Sequence, residues 1–314
     1  MESLKLSFDA IMPIFILMAL GYLIKKLKLA DKKTLDSINK LIFKIFLPVL
    51  LFYNIYTTET AEVFDVKLMA FAAVGTVSVF ILGYFAVLLI TKDNAKRGVM
   101  LQDFFRANFA ILGIPLVNYI CNKEASELAS LMVAVIIPVF NILAVISLEI
   151  FRGGEKRVNV LELLKDVITN PLIIGCVFGI IFFVFDIKLP FVLEKSIKDI
   201  SSVATPLSIV ILGSIFEFSG CKACVKETVI TILTKLVIVP LIIIPIAVLM
   251  GFTGEALACL LVVFGGPVAV SSFPMAQQMG GDETLAVQVV VLSSALCLVT
   301  LFCWISALSY LGLF

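Results

Sequence analysis

The sequence predicts an all-helical, multi-pass membrane protein. Mean hydropathy is +1.15, with 61% hydrophobic and only 15% charged residues in 314; a soluble domain is nearer half apolar and a quarter charged. Apolar runs of bilayer-spanning length recur along the whole chain. One of them, from Arg97 to Val117, carries Gln102, Asp103, Arg106 and Asn108 and runs into Gly113-x-Pro115. A charge at the bilayer centre costs roughly 2.5–3.5 kcal/mol on insertion scales, so such residues face protein or water and mark a pathway.

Ten candidate spans follow in order, about 8–27, 37–56, 68–91, 97–119, 128–151, 168–186, 197–217, 228–250, 255–278 and 284–310. The N-terminal MESLKLSFDA has no basic n-region, so the first apolar run reads as a retained helix rather than a signal peptide. The loops are short. The longest inner one, Arg152 to Asp166, suits a short amphipathic helix. With both termini outside, the inner loops collect the basic clusters at 25–33, 92–97, 152–165 and 222–226. The outer segments then hold scattered single lysines and the acidic Glu59, Glu62 and Asp65, which is the arrangement the positive-inside rule favours.

The halves repeat. Pro13, Gly21 and Pro48 recur as Pro171, Gly179 and Pro206 at an offset of 158, and Asn108-x6-Pro115 falls on Pro267-x6-Pro274 at 159. Five spans per copy is odd, so repeat one (8–151) and repeat two (168–310) would enter the membrane from opposite faces. That inverted topology is common among secondary transporters.

The fourth and ninth spans are then partners, and both carry breakers. Pro115 cannot donate to a helix ladder and Gly113 adds backbone freedom. Gly265-Gly266-Pro267 and Pro274 interrupt the ninth. At 1.5 Å per residue, Asn108 and Gly265 each lie roughly 16 Å from their end of the span, near the middle of a core about 30 Å thick. Two discontinuous helices crossing there offer unpaired N–H groups to an anion. Candidate ligands are Asn108, Arg106, Ser271 and Asn141, with Gly113, Pro115, Gly266 and Pro267 shaping the backbone.

Each has a plainer reading. Asn108 can be an interhelical hydrogen bond, and the prolines can be packing kinks. Arg106 is either a fork for an organic anion or the i,i+3 partner of Asp103. Asp103 and Gln102 are the candidates for ion coupling. Glu149 and Lys235 read as structural or snorkelling residues. Gln277 and Gln278 suit an inner vestibule.

Several classes are disfavoured. The absence of histidine removes most zinc sites, His-based proton relays and any Ser-His or Cys-His nucleophile. Seven cysteines, mostly inside apolar runs, read as packed thiols, and Cys221-x-x-Cys224 lacks a second pair to complete a metal site. No basic patch suggests nucleic acid. We expect no cofactor, no metal and no enzymatic activity.

Asn108-x4-Gly113-x-Pro115-Leu116, Leu47-Pro48-x2-Leu51-Phe52, Glu149-Ile150-Phe151-Arg152 and Pro267-x8-Ala276-x2-Met279-Gly280-Gly281-Asp282 together resemble the auxin efflux carrier family, most closely its bacterial malate/malonate permease-like branch. The resemblance covers essentially the whole chain. It implies the five-plus-five inverted repeat of bile-acid symporter and sodium/proton antiporter folds. It also implies a scaffold of spans 1, 2, 6 and 7, a transport domain of spans 3–5 and 8–10, a homodimer through the scaffold and elevator-like alternating access. Asn108 would carry over as a carboxylate ligand, with Pro115 and Pro267 at the crossover. Ser271 stands where many members have asparagine, and the long loop of the plant proteins is missing here, so auxin itself is not the expected cargo. The expected function is secondary transport of a small mono- or dicarboxylate across the cytoplasmic membrane. The alternative is a sodium- or proton-coupled carrier of the bile-acid type with another cargo.

Overall fold

The computed structural model describes residues 2–58, 65–109, 117, 127–152, 160–216 and 224–314. Every regular element among them is helical. In chain order they are α1 (Glu2–Lys26), α2 (Lys32–Tyr56), α3 (Val66–Ile90), α4 (Asn94–Phe105), α5 (Glu127–Arg152) and α6 (Val160–Ile168). There follow α7 (Pro171–Val184), α8 (Phe191–Ile215), α9 (Val225–Leu249), α10 (Gly254–Gly265), α11 (Ser272–Gln278) and α12 (Glu283–Tyr310). Among the described residues six helices, α2, α3, α5, α8, α9 and α12, are long and apolar enough to cross a bilayer, and α7 and α10 are apolar but shorter. The amphipathic helix expected in the inner loop is α6.

Helix starts follow side-chain chemistry. Asp31, Asp65, Asp93, Asn170 and Asp282 each accept a hydrogen bond from a backbone N–H of the first turn of α2, α3, α4, α7 and α12. Such caps satisfy donors that the helix leaves orphaned and contribute about 1 kcal/mol each. Single π-helical turns at Ile42–Phe46 and Thr234–Ile238 interrupt the ladders of α2 and α9 without ending them.

Two helix pairs approach with almost no gap. A Cβ at Gly21 of α1 would stand 1.9 Å from the Val210 carbonyl oxygen of α8, and one at Gly175 of α7 would stand 2.4 Å from that of Pro48 in α2. Only glycine allows backbones this close, the device lipid-embedded helices use where the hydrophobic effect cannot drive association.

Burial sorts the remaining helices. α3 turns Leu82, Phe85 and Leu89 outward, exposed by 60% or more, as a lipid-facing helix must. α4 and α10 are the reverse: Gly98 to Phe105 and Leu257 to Gly265 are buried on all sides. A helix sheathed by others on every side belongs at the centre of the bundle; α10 is apolar all round, while α4 brings Gln102 and Asp103 into the interior with it.

Candidate functional site

α4 stops at Phe105. Arg106 is extended (φ −80°, ψ 118°), although its N–H still reaches Gln102 O at 3.1 Å. α10 stops at Gly265, Gly266 is extended (φ −71°, ψ 160°), and the chain turns back into helix only at Ser272. The two extended segments meet. Ala107 and Val268 form an antiparallel bridge, and Asn108 N–H donates to Pro267 O at 2.8 Å. Pro267 has no N–H of its own. Its neighbour Val268 donates to Ser293 Oγ of α12 at 3.2 Å. Backbone freed from both helices is thus paired inside the protein, as it must be where water is excluded.

Lys235 holds the two helix ends together. Its side chain is fully buried, and Nζ donates to Phe105 O at 3.2 Å and to Val263 O at 3.0 Å. Each helix C-terminus carries roughly half a negative charge, so one ammonium answers both. Of the two readings of Lys235, structural or snorkelling, these contacts fit the structural one. A snorkelling lysine needs a route to water, and this one sits at mid-helix among α4 and α10 with two of its three N–H groups on carbonyls.

Beside the bridge lies a cavity of about 70 Å³, room for roughly five waters. Its walls are Leu47, Leu50 and Leu51 of α2 with Phe140 of α5, and its polar groups are Asn54, Arg106, Asn108, Asn141, Thr205, Ser208 and Ser271. Arg106 Nη2 donates to Asn141 Oδ1 at 2.7 Å and to Ser271 Oγ at 2.9 Å, and Nη1 touches Met275 Sδ. Asn141 Nδ2 is itself fixed on Ile137 O at 2.8 Å. The guanidinium's hydrogen bonds fall on Asn141 and Ser271, and among the described residues Asp103 receives none of them, so the i,i+3 pair is not a hydrogen-bonded one.

Asn108 differs from its neighbours. It is 6% exposed, and its Nδ2 has no hydrogen-bond partner in the protein. A buried unpaired amide donor costs about 1–3 kcal/mol, a cost recovered when an acceptor enters the cavity.

Candidate residues thus brought together are Arg106, Asn108, Asn141, Gly266, Pro267 and Ser271. Gln102 and Asp103 lie one turn back on α4, fully buried, with Gln102 Nε2 on Ser272 O at 3.2 Å. Gly113 and Pro115 lie outside the described residues. Gln277 donates to Asp36 Oδ1 at 3.1 Å and accepts from Asn39, tying α11 to α2, and Gln278 lines an open pocket with Lys32, Asp36 and Lys40 of α2. Sequence reasoning missed Ser293 and Asn54, and it named Lys235 as structural or snorkelling without the carbonyls it holds. The signal for Lys235 was its solitude, one cation in the midst of an otherwise apolar span.

A helical bundle with lipid-facing apolar helices around a buried polar cavity defines the class of multi-pass helical membrane proteins. The comparisons with known proteins agree. The family model described as Membrane transport protein matches residues 6–305, and the chain belongs to that family, the auxin efflux carrier family its motifs resemble. An uncharacterized transporter of Methanothermobacter thermautotrophicus is 22% identical over 304 residues, covering 95% of this chain and 97% of its own length.

Proposed function

We propose that the protein is a secondary carrier for a small organic anion, a mono- or dicarboxylate, in the cytoplasmic membrane. The observation that carries this reading is the unpaired Asn108 amide beside the Arg106 fork, at a cavity where two interrupted helices meet. An uncharged amide and a guanidinium already held by neutral partners suit a carboxylate that must be bound and then released.

The helix bounds support the ten-span, inverted-repeat architecture. α2 (Lys32–Tyr56) and α8 (Phe191–Ile215) are offset by 159 at both ends, as are α3 (Val66–Ile90) and α9 (Val225–Leu249). α4 (Asn94–Phe105) and α10 (Gly254–Gly265) are offset by 160 at both ends. The two glycine contacts also reciprocate: α1 packs on α8, and its repeat partner α7 packs on α2. On this reading α4 and α10 are the first halves of broken spans four and nine. Spans 1, 2, 6 and 7 form a scaffold that also makes a homodimer. Spans 3–5 and 8–10 carry the cargo past it in an elevator-like step. Both termini lie outside.

Counterflow of radiolabelled malonate, malate and lactate in liposomes tests the function. Exchange of at least one acid is expected, with Asn108→Ala lowering its apparent affinity by tenfold or more. No exchange of any of them, or equal affinity in the variant, sinks the reading.

A further inference from the structure

Behind the cavity lies a second polar cluster that cargo binding leaves unused. Asp103 and Gln102 are fully buried. Among the described residues neither carboxylate oxygen of Asp103, nor Gln102 Oε1, nor Ser272 Oγ has a well-formed hydrogen bond. Gln102 Nε2 donates to Ser272 O, and the Ser272 hydroxyl lies close enough to act on the Asp103 carboxyl, so the three residues form one group. The inventory is lopsided: three acceptor oxygens face a single hydroxyl proton. A cluster short of donors has room for one more proton, or for a cation.

Two basic side chains act on Asp103, those of Arg106 and Lys235. Other charged side chains on the elements packed against α4 are engaged at their ends. Lys67 of α3 bonds Met250 O, Glu149 and Arg152 of α5 pair with each other, and Glu227 of α9 pairs with Lys96. Lys226 of α9 bonds Ile90 O, and Glu283 lies in the first turn of α12, next to Asp282, whose N–H meets the Ala95 carbonyl. Among the described side chains, α11 contributes no charge.

The charges divide into two balanced sets. Lys235 answers the two helix C-termini. Arg106 is then the counter-charge of Asp103, and Arg106 also lines the cargo cavity. One guanidinium faces two claimants.

We propose that Asp103 is a proton-loading site linked to the cargo through Arg106. When a carboxylate takes the guanidinium, Asp103 loses its counter-charge and binds one proton from the aqueous phase the cavity faces. An O–H bond forms on the carboxyl, and its donor capacity falls to the unpartnered oxygens of Gln102 and Ser272. When the acid leaves, the guanidinium, still bonded to Asn141 and Ser271, again acts through space as the counter-charge of Asp103, and the proton departs on the same side as the acid. Each cycle moves one carboxylate charge with one proton. A metal ion is disfavoured here because the nearby carbonyls that would complete its oxygen shell, Phe105 O and Val263 O, already hold Lys235.

This inference rests on the carrier reading, and one experiment separates the two. Full-length protein in weakly buffered detergent is titrated with malonate, malate and lactate. A thermal shift reads binding, and a pH indicator reads protons taken up. One proton per bound acid is expected, with affinity weakening about tenfold per pH unit above the titration of Asp103. Asp103→Asn should abolish the uptake and flatten the pH dependence. Binding by the wild type with no proton uptake, or with affinity constant from about pH 6 to pH 9, overturns the proton site and leaves the carrier. Binding that needs sodium and takes up no proton overturns it in favour of a metal ion. No binding of any of the three acids removes the carboxylate reading itself.

Discussion

The two segments that meet at the bridge are built on the same backbone plan and carry opposite chemistry. Each follows a helix of 12 residues, each leaves that helix in an extended conformation, and they pair through Ala107 and Val268. Yet the first arm brings Gln102, Asp103, Arg106 and Asn108, and the second brings Gly265, Gly266, Pro267, Ala269 and one hydroxyl, Ser271. The first supplies chemistry. The second supplies shape, and its small residues let the polar arm come close. A symmetric crossing filled by two polar arms would bury more unpaired donors than the bilayer interior tolerates. The asymmetry therefore predicts that substitutions at the glycines and proline of the second arm act on folding, and that substitutions at the polar side chains facing the cavity, Asn108 and Ser271, act on binding.

The largest effect should come from the residue that serves both arms. Lys235→Met removes the ammonium and leaves Phe105 O and Val263 O unpaired in a dry site. Two stranded carbonyls cost about 1–3 kcal/mol each. We expect about 3 kcal/mol in all, read as a marked fall in apparent melting temperature in detergent, with ligand stabilisation lost as well. An unchanged melting temperature would mean that the two helix ends do not depend on this cation. Next comes Gly266→Ala. Its Cβ would stand 2.5 Å from Val262 O, a backbone atom of the preceding turn that cannot swing away. Overpacking of this kind costs about 1–3 kcal/mol, so a loss of stability is expected. If cargo affinity fell instead and stability held, the division of labour between the arms would be wrong.

Much of this was legible in the sequence because membrane helices obey few rules. Apolar runs of fixed length gave the helical class, and the matched prolines and glycines pointed to residues near Asn108 and Pro267 as a meeting place. What could not be read was direction. The spacing of Asp103 and Arg106 permits an i,i+3 pair, and the guanidinium instead reaches Asn141 and Ser271. Those partners lie on α5 and just before α11, remote in sequence, so no local periodicity announces them. The partners of Lys235 were hidden for a related reason. Hydropathy records that a lysine sits in an apolar helix, but the carbonyls that hold it come from two other helices. The α2–α11 tie through Asp36, Asn39 and Gln277 was hidden in the same way, since it joins residues 238 to 241 positions apart.

The last two substitutions sharpen the comparison because they should leave stability nearly untouched while separating the arms. Asn108→Ala deletes an amide whose Nδ2 has no protein partner. Removing an unsatisfied donor relieves a penalty, so the melting temperature of the empty protein should hold or rise while stabilisation by a bound carboxylate falls. Ser271→Ala deletes one of two oxygen acceptors on Arg106 Nη2, the other being Asn141. A hydrogen bond to a charged group contributes about 1.5–3 kcal/mol, but the guanidinium here keeps Asn141 and can turn the freed N–H to an acid in the cavity. The net effect should therefore be the smaller one, within about tenfold in affinity, and its sign is informative. A weaker Kd means that Ser271 orients the fork for cargo. A tighter one means that Ser271 competes with cargo for the same N–H, and the second arm then acts as a brake on binding by the first.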